Sequence, residues 1–223
     1  MKIIAKIYTE FDEKFGIPRQ SGIVDETVGR IVFEPEYRND DALRGIEGYS
    51  HLWVIWMFSK AKREVWQPTV RPPRLGGNRR MGVFATRSPY RPNPIGLSSV
   101  KIISIDLNTP KGQIIEISGA DLLDGTPIYD IKPYLAYTDS HPEASSGFAL
   151  TDRAPRSEVV ISEELLHKVP EEHRSSVIDI LSEDPRPGYQ DDSSRVYVLE
   201  YANFEIAFRA SDGKIVVDDI IFK

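Results

Sequence analysis

The residues best suited to chemistry lie in one stretch, Val70–Leu97, VRPPRLGGNRRMGVFATRSPYRPNPIGL. It holds six arginines (Arg71, Arg74, Arg79, Arg80, Arg87, Arg91), five prolines and four glycines. Proline restricts φ and glycine lets backbone approach a ligand closely, so such turns are rigid and accessible. Arginine presents a planar fork of donors that matches carboxylates and phosphates. The stretch reads as a site for an anionic partner. Charge is distributed accordingly. The chain carries a net −6, yet Lys60–Lys101 has ten Lys or Arg and one acid, Glu64. That segment is +9 and the remainder −15. A basic face on an acidic body is what a local polyanion footprint looks like. Salt bridges between these arginines and the surplus acids would give the same composition.

Other chemistry is poorly supported. There is no cysteine, which removes disulfides, thiolate metal sites and cysteine nucleophiles. No GxGxxG, Walker loop, HExxH or GxSxG occurs, so a Rossmann cofactor fold and the common hydrolase motifs are disfavoured. The four histidines, His51, His141, His167 and His173, have no metal spacing, and no metal is expected. His51 reads as a structural histidine. His167 and His173 read as solvated. The N-terminus is too charged for a signal peptide, and the longest apolar run, Leu52–Phe58, is too short to span a bilayer. A soluble, cytoplasmic protein is expected.

The elements that must position the arginine-rich turns are mostly strands. Lys2–Thr9, Gly22–Phe33, Arg80–Thr86, Ser99–Leu107 and Ile114–Ser118 read as strands, the last two joined by a hairpin turn at Asn108–Gly112. In Ser99–Leu107, Ile103, Ile105 and Leu107 are expected on one side. Leu52–Phe58, apolar at every position, reads as a strand buried on both faces. Asn39 is a plausible helix N-cap. Many short strands with Gly/Pro turns suggest a barrel or sandwich. Composition shifts near Tyr137. Residues 138–157 read as a linker or excursion between a domain at 1–137 and a small α+β domain at 158–223. In the latter, Ser162 caps a helix, Val177–Leu181 continues helically, and strands are expected at Arg195–Tyr201, Phe204–Ala210 and Lys214–Phe222. A module of about 65 residues is marginal alone and is expected to pack on the first domain.

Four segments together resemble one family: Lys14–Gln20 (KFGIPRQ), Pro68–Leu97, Asp121–Tyr134 (DLLDGTPIYDIKPY) and Asp184–Tyr189 (DPRPGY). Along nearly its whole length the chain is similar to the TrmO/TsaA (YaeB-like) S-adenosylmethionine-dependent tRNA N6-methyltransferases. The resemblance implies an antiparallel, non-Rossmann β-barrel with a small C-terminal α+β domain, acting as a homodimer. It implies S-adenosylmethionine as cofactor. The implied substrate is the threonylcarbamoyl-modified adenosine at position 37 of tRNA, methylated on N6. It places cofactor contacts at Pro18, Arg19, Gln20, Ser59, Lys60, Arg87, Leu97, Leu123, Asp124, Gly125 and Thr126. Within these, Leu123 would pack on the adenine and the Asp124–Thr126 backbone would read its edge. Arg79, Arg80, Arg91, Arg186 and Tyr189 are the expected tRNA contacts. Asp124, Asp130, Lys132 and Tyr134 are candidates to take the N6 proton. Where many members have a Ser-Pro-Phe/Tyr turn after the first strand, this chain has Tyr8-Thr9-Glu10-Phe11. Methyl displacement from a sulfonium needs alignment more than acid–base power, in keeping with a chain without an obvious nucleophile. The basic segment taken by itself also suits a non-catalytic RNA-binding barrel.

Overall fold

Alternating burial along six strands builds the core that positions the site. A computed structural model describes residues 1–61, 65–72, 75, 79–151, 155–186 and 192–223. Strands β1 (Ala5–Thr9), β2 (Val28–Phe33), β3 (His51–Met57), β6 (Ile95–Thr109), β7 (Gly112–Ser118) and β8 (Thr126–Pro133) close into an antiparallel barrel in the order β1-β2-β7-β6-β3-β8. The short pair β4 (Thr69–Val70) and β5 (Met81–Gly82) forms a separate ribbon. Every second residue points inward, as the strand repeat requires: Ile7, Ile31, Leu52, Val54, Trp56, Val100, Ile115, Ile117 and Ile128 are buried. The barrel expectation holds.

Several boundaries differ from the sequence reading. The first strand begins at Ala5 and the second at Val28; Val24 packs elsewhere, and Thr27 Oγ1 instead donates to the Val24 and Ala120 carbonyls at 2.9 and 3.0 Å. β3 is fully buried on one face only; Trp53, Ile55 and Met57 on the other face are half-buried. The strand expected over Arg80–Thr86 is two residues long and turns into a 3₁₀ turn, Val83–Ala85, because Phe84 has no core to enter and is 71% exposed. β6 is longer than expected, and a bulge between Ile102 and Ser104 turns Ile102 and Ile105 inward, leaving Ile103 and Leu107 exposed. Asn39 caps a 3₁₀ turn, its side chain accepting from the Asp41 N–H at 2.9 Å.

Helices α1 (Ala136–Asp139) and α2 (Phe148–Thr151) interrupt the expected linker, and α1 is tied to the barrel by the Trp53 Nε1–Asp139 Oδ2 bond of 2.7 Å. Beyond them lie β9 (Glu158–Val160), α3 (Glu163–His167), α4 (Glu171–Ser182), β10 (Tyr197–Tyr201), β11 (Phe204–Ser211) and β12 (Lys214–Phe222). The sheet order is β10-β11-β12-β9, with β9 parallel to β12. Ser162 caps α3 as expected. His173 is half-buried rather than fully solvated; its ring meets Tyr201 edge-on at 5.9 Å.

The second core borrows from the first half of the chain. Phe11 and Val24 are buried in it beside Leu199, Tyr201, Ile206 and Phe208, with Phe15, Ile17 and Ile23 packed against it. Gly16 allows this contact. Its φ is +91°, and a Cβ there would lie 1.9 Å from Leu199 Cδ1. A small module that cannot bury enough apolar area alone gains it from this loop. The same packing anchors both ends of the segment carrying Pro18, Arg19 and Gln20.

Candidate active site

One end of the barrel collects most of the predicted residues. There β1, β3 and β7 finish and β2, β6 and β8 begin, so the loops 10–27, 58–94 and 119–125 all emerge together. Gln20 Oε1 accepts a hydrogen bond from Arg87 Nη1, joining two segments far apart in sequence. The turn that carries Arg87 is held locally. Thr86 Oγ1 donates to the Val83 carbonyl at 2.9 Å, and the Ser88 and Tyr90 N–H groups donate to the Thr86 and Ser88 hydroxyls. Arg19 Nη2 donates to the carbonyls of Asp184 and Arg186 at 3.4 and 3.1 Å, tying the loop to the C-terminal unit. Pro18 is buried. Lys60 is exposed, Ser59 is half-buried, and the Lys60 carbonyl accepts from Lys14 Nζ at 3.1 Å. Leu97 lies on the outer barrel face and is 56% exposed.

The 123–126 turn is bound into the fold. The Asp124, Gly125 and Thr126 N–H groups donate to the carbonyls of Phe11, Ile7 and Leu123. Asp124 Oδ1 accepts from the Thr9 N–H at 3.0 Å. These donors hold the turn against the end of β1, which leaves its carbonyl groups as the backbone groups able to meet a base edge.

The candidates for the proton do not share one place. At a rise of about 3.3 Å per residue, Asp130 lies roughly 13 Å and Tyr134 roughly 26 Å along the strand from Thr126. Asp130 pairs with Lys132 at 2.8 Å, and Tyr134 packs on Trp53 and His51 at the far end. Of the four, only Asp124 stands at the end that holds Arg87.

A residue that the sequence reading passed over stands there too. Asp121 lies three residues beyond the end of β7 and accepts from Ser98 Oγ at 2.7 Å; Ser98 Oγ in turn accepts from Trp56 Nε1 at 2.9 Å. Burial pushes the Asp121 carboxyl up to about 6, against the pull of the Ser98 hydroxyl, its own and the Ser21 backbone N–H, and the Arg87 charge. The signal available in sequence was a carboxylate in the small-residue turn just past an apolar strand, in Ile117-Ser118-Gly119-Ala120-Asp121.

The expected tRNA contacts divide. Arg79 and Arg80 are exposed beside the β4–β5 ribbon, with Arg80 Nη1 3.4 Å from Thr69 Oγ1. Arg91 donates to the Thr86 carbonyl at 3.2 Å and lines an open cleft of about 430 Å³ with Phe84, Pro92, Asn93 and Ile95. Arg186 is turned inward. Its fork holds both Asp184 carboxylate oxygens at 2.8 Å, and its side chain is 14% exposed. It shapes its loop rather than offering that fork to a phosphate. Tyr189 lies outside the described residues, and so does Arg74. Among the described residues, no group of three or more His, Asp or Glu could hold a metal, and no helix is long and apolar enough to cross a membrane.

Comparison with known proteins decides the family. The model of the tRNA-methyltransferase O N-terminal domain matches residues 6–140, and that of the TrmO C-terminal domain matches 154–223. The chain belongs to the TrmO family. It is 39% identical over 220 residues to the tRNA (adenine(37)-N6)-methyltransferase of Escherichia coli K12, covering 94% of this chain and 92% of that protein. It is 39% identical over 146 residues to an Archaeoglobus fulgidus protein named "Probable S-adenosyl-L-methionine-binding protein", covering 66% and 36% of the two chains. A crystal structure of TrmO from Pseudomonas aeruginosa superposes with a TM-score of 0.76 at 30% identity, covering 98% of this chain and 97% of that one. The closed antiparallel barrel is therefore a TrmO fold, and the Gln20–Arg87 junction lies within the TrmO N-terminal domain.

Proposed function

We propose that this chain transfers a methyl group to N6 of the threonylcarbamoyl-modified adenosine 37 of tRNA, at the barrel end marked by Gln20 and Arg87. As a TrmO protein it is an S-adenosylmethionine-dependent tRNA (adenine(37)-N6)-methyltransferase. The observation that carries the site is the Gln20–Arg87 contact, which unites two of the family-like segments at one end of a barrel without a Rossmann fold. The residues fit the cofactor. Arg87 is an exposed cation that makes no ion pair among the described residues, and a guanidinium in that state suits a carboxylate. S-adenosylmethionine supplies the methyl group as a sulfonium. The chain's own residues bind and align: Gln20 holds the Arg87 fork, and the 123–126 turn braces β1 against β8. Well-oriented reactants gain roughly 7–11 kcal/mol of the barrier from alignment. No side-chain nucleophile is needed. On the substrate side, the exposed Arg79, Arg80 and the Arg91 cleft suit phosphates, and the exposed rings of Trp66 and Phe84, 6.1 Å apart, suit unstacked bases.

The protein acts as a cytoplasmic homodimer in this reading. The exposed Leu97 and the half-buried Ile55 and Trp53 give the outer face of β3 and β6 an apolar surface suited to a second copy, with Leu97 at the cofactor end. Light scattering at assay concentration is expected to give twice the chain mass; a fully active monomer contradicts the dimer. The substrate reading is tested by methyl transfer to native tRNA and to an unmodified transcript of the same sequence. Transfer to the native tRNA alone is expected. Equal transfer to both removes the threonylcarbamoyl requirement.

A further inference from the structure

Arg87 and Asp121 bring opposite charges to one barrel end without touching. Arg87 is held by Gln20; the next residue in the chain, Ser21, gives its backbone N–H to Asp121, and Arg87 and Asp121 form no ion pair with each other. The Arg87 charge also draws the Asp121 pKa down. The hydrogen-bond donors to Asp121 are neutral: the Ser98 hydroxyl and the Ser21 and Asp121 N–H groups. Behind Ser98, Trp56 Nε1 continues the neutral chain into the barrel. A partly buried carboxylate with only neutral donors is short of positive charge, and such a group destabilises the fold it sits in. A ligand that turns a cation to Asp121 and an anion to Arg87 would relieve both.

We propose that Arg87 and Asp121 form a clamp for an α-amino-acid zwitterion, Arg87 taking the carboxylate and Asp121 the ammonium. Resting on the methyl-donor reading of this barrel end, the clamp assigns Asp121 to the amino-acid end of S-adenosylmethionine. An α-amino-acid zwitterion carries its two charged groups on a single carbon. Its receptor needs a cation and an anion that are close but apart, since a receptor pair in contact would satisfy itself. Trp56 and Ser98 then act as the support that fixes the Asp121 oxygen, with the orientation set from the barrel interior.

The test is calorimetry on the full chain with two neutral-sulfur ligands. S-adenosylhomocysteine keeps the amino-acid end; 5′-methylthioadenosine keeps the nucleoside and sulfur but lacks it. Asp121→Asn is expected to weaken S-adenosylhomocysteine by about ten-fold or more, as the loss of a charged hydrogen bond does, and to leave 5′-methylthioadenosine within about two-fold. Arg87→Gln is expected to show the same selectivity. In the unsubstituted protein, lowering pH from about 7.5 to about 5 should weaken only the first ligand, because Asp121 takes up a proton while Arg87 stays charged and Ser98, Trp56 and Ser21 do not titrate. That comparison decides the matter if Asp121→Asn does not fold. Equal loss for both ligands, or no loss for either, overturns the clamp while leaving the methyl-donor site standing. Failure of the unsubstituted protein to bind S-adenosylhomocysteine overturns the methyl-donor reading and the clamp with it.

Discussion

Gly96→Ala should damage the site from inside the barrel. Gly96 on β6 faces Trp56 on β3 directly. A Cβ there would lie 2.2, 2.4 and 2.6 Å from Cε2, Cζ2 and Cδ2 of the indole. Carbon atoms in contact sit at about 3.5–4.0 Å, so the ring must retreat by roughly 1 Å or more. It has little room, being 7% exposed and packed on Phe58 with centroids 4.2 Å apart. A retreat of that size stretches the 2.9 Å bond from Trp56 Nε1 to Ser98 beyond useful range. Overpacking costs about 1–3 kcal/mol and the lost hydrogen bond about 1 more. For a chain of this length, that lowers the thermal midpoint by roughly 4–16 °C. The assay is thermal unfolding followed by tryptophan fluorescence, with S-adenosylhomocysteine affinity measured well below the transition. A midpoint within about 2 °C of the unsubstituted protein, with an unchanged fluorescence spectrum, would refute the reasoning.

Arg87→Ala should weaken cofactor binding by about 2–5 kcal/mol and change stability by no more than about 0.5 kcal/mol; calorimetry and a thermal melt on one preparation check both. Asp121→Asn should do the reverse to stability. Because burial raises this carboxyl from 3.8 to about 6, the folded state holds the proton more tightly than the unfolded chain, and stability falls as pH rises through that window. Neutralising the group should stabilise the ligand-free protein by up to about 3 kcal/mol near pH 7.5 and by nothing near pH 3.5; urea midpoints at the two pH values measure it. Phe11→Ala should cost about 3–5 kcal/mol and also weaken the cofactor, since Phe11 anchors the loop that carries Gln20 in the second core; denaturant titration with and without S-adenosylhomocysteine separates the two effects.

The barrel was legible because alternation is a local property: Gln113, Ile115 and Ile117 announce an inward face within a few residues. The KFGIPRQ, ATRSP and DGTP segments were legible as motifs, and their convergence follows from the order of strand ends. What sequence did not reveal depends on distant partners. Val24 reads as part of a strand and Phe11 as the start of a loop, yet the burial of both is completed by residues about 180 positions later. Trp56, Ser98 and Asp121 come from three separate elements, and none of them signals the others. Phe84 extends an apolar run that looks like a strand until no neighbour appears to cover it. The Arg186–Asp184 pair is the exception. It is two residues apart, so its inward turn was readable locally.

The most direct test of the account is mass analysis of nucleosides from tRNA incubated with this protein and S-adenosylmethionine bearing a labelled methyl group. The account predicts the label on a single nucleoside, N6-methylated threonylcarbamoyl-adenosine, from position 37, and its loss with Arg87→Ala. An unlabelled adenosine 37, or label on another nucleoside at comparable yield, would contradict it.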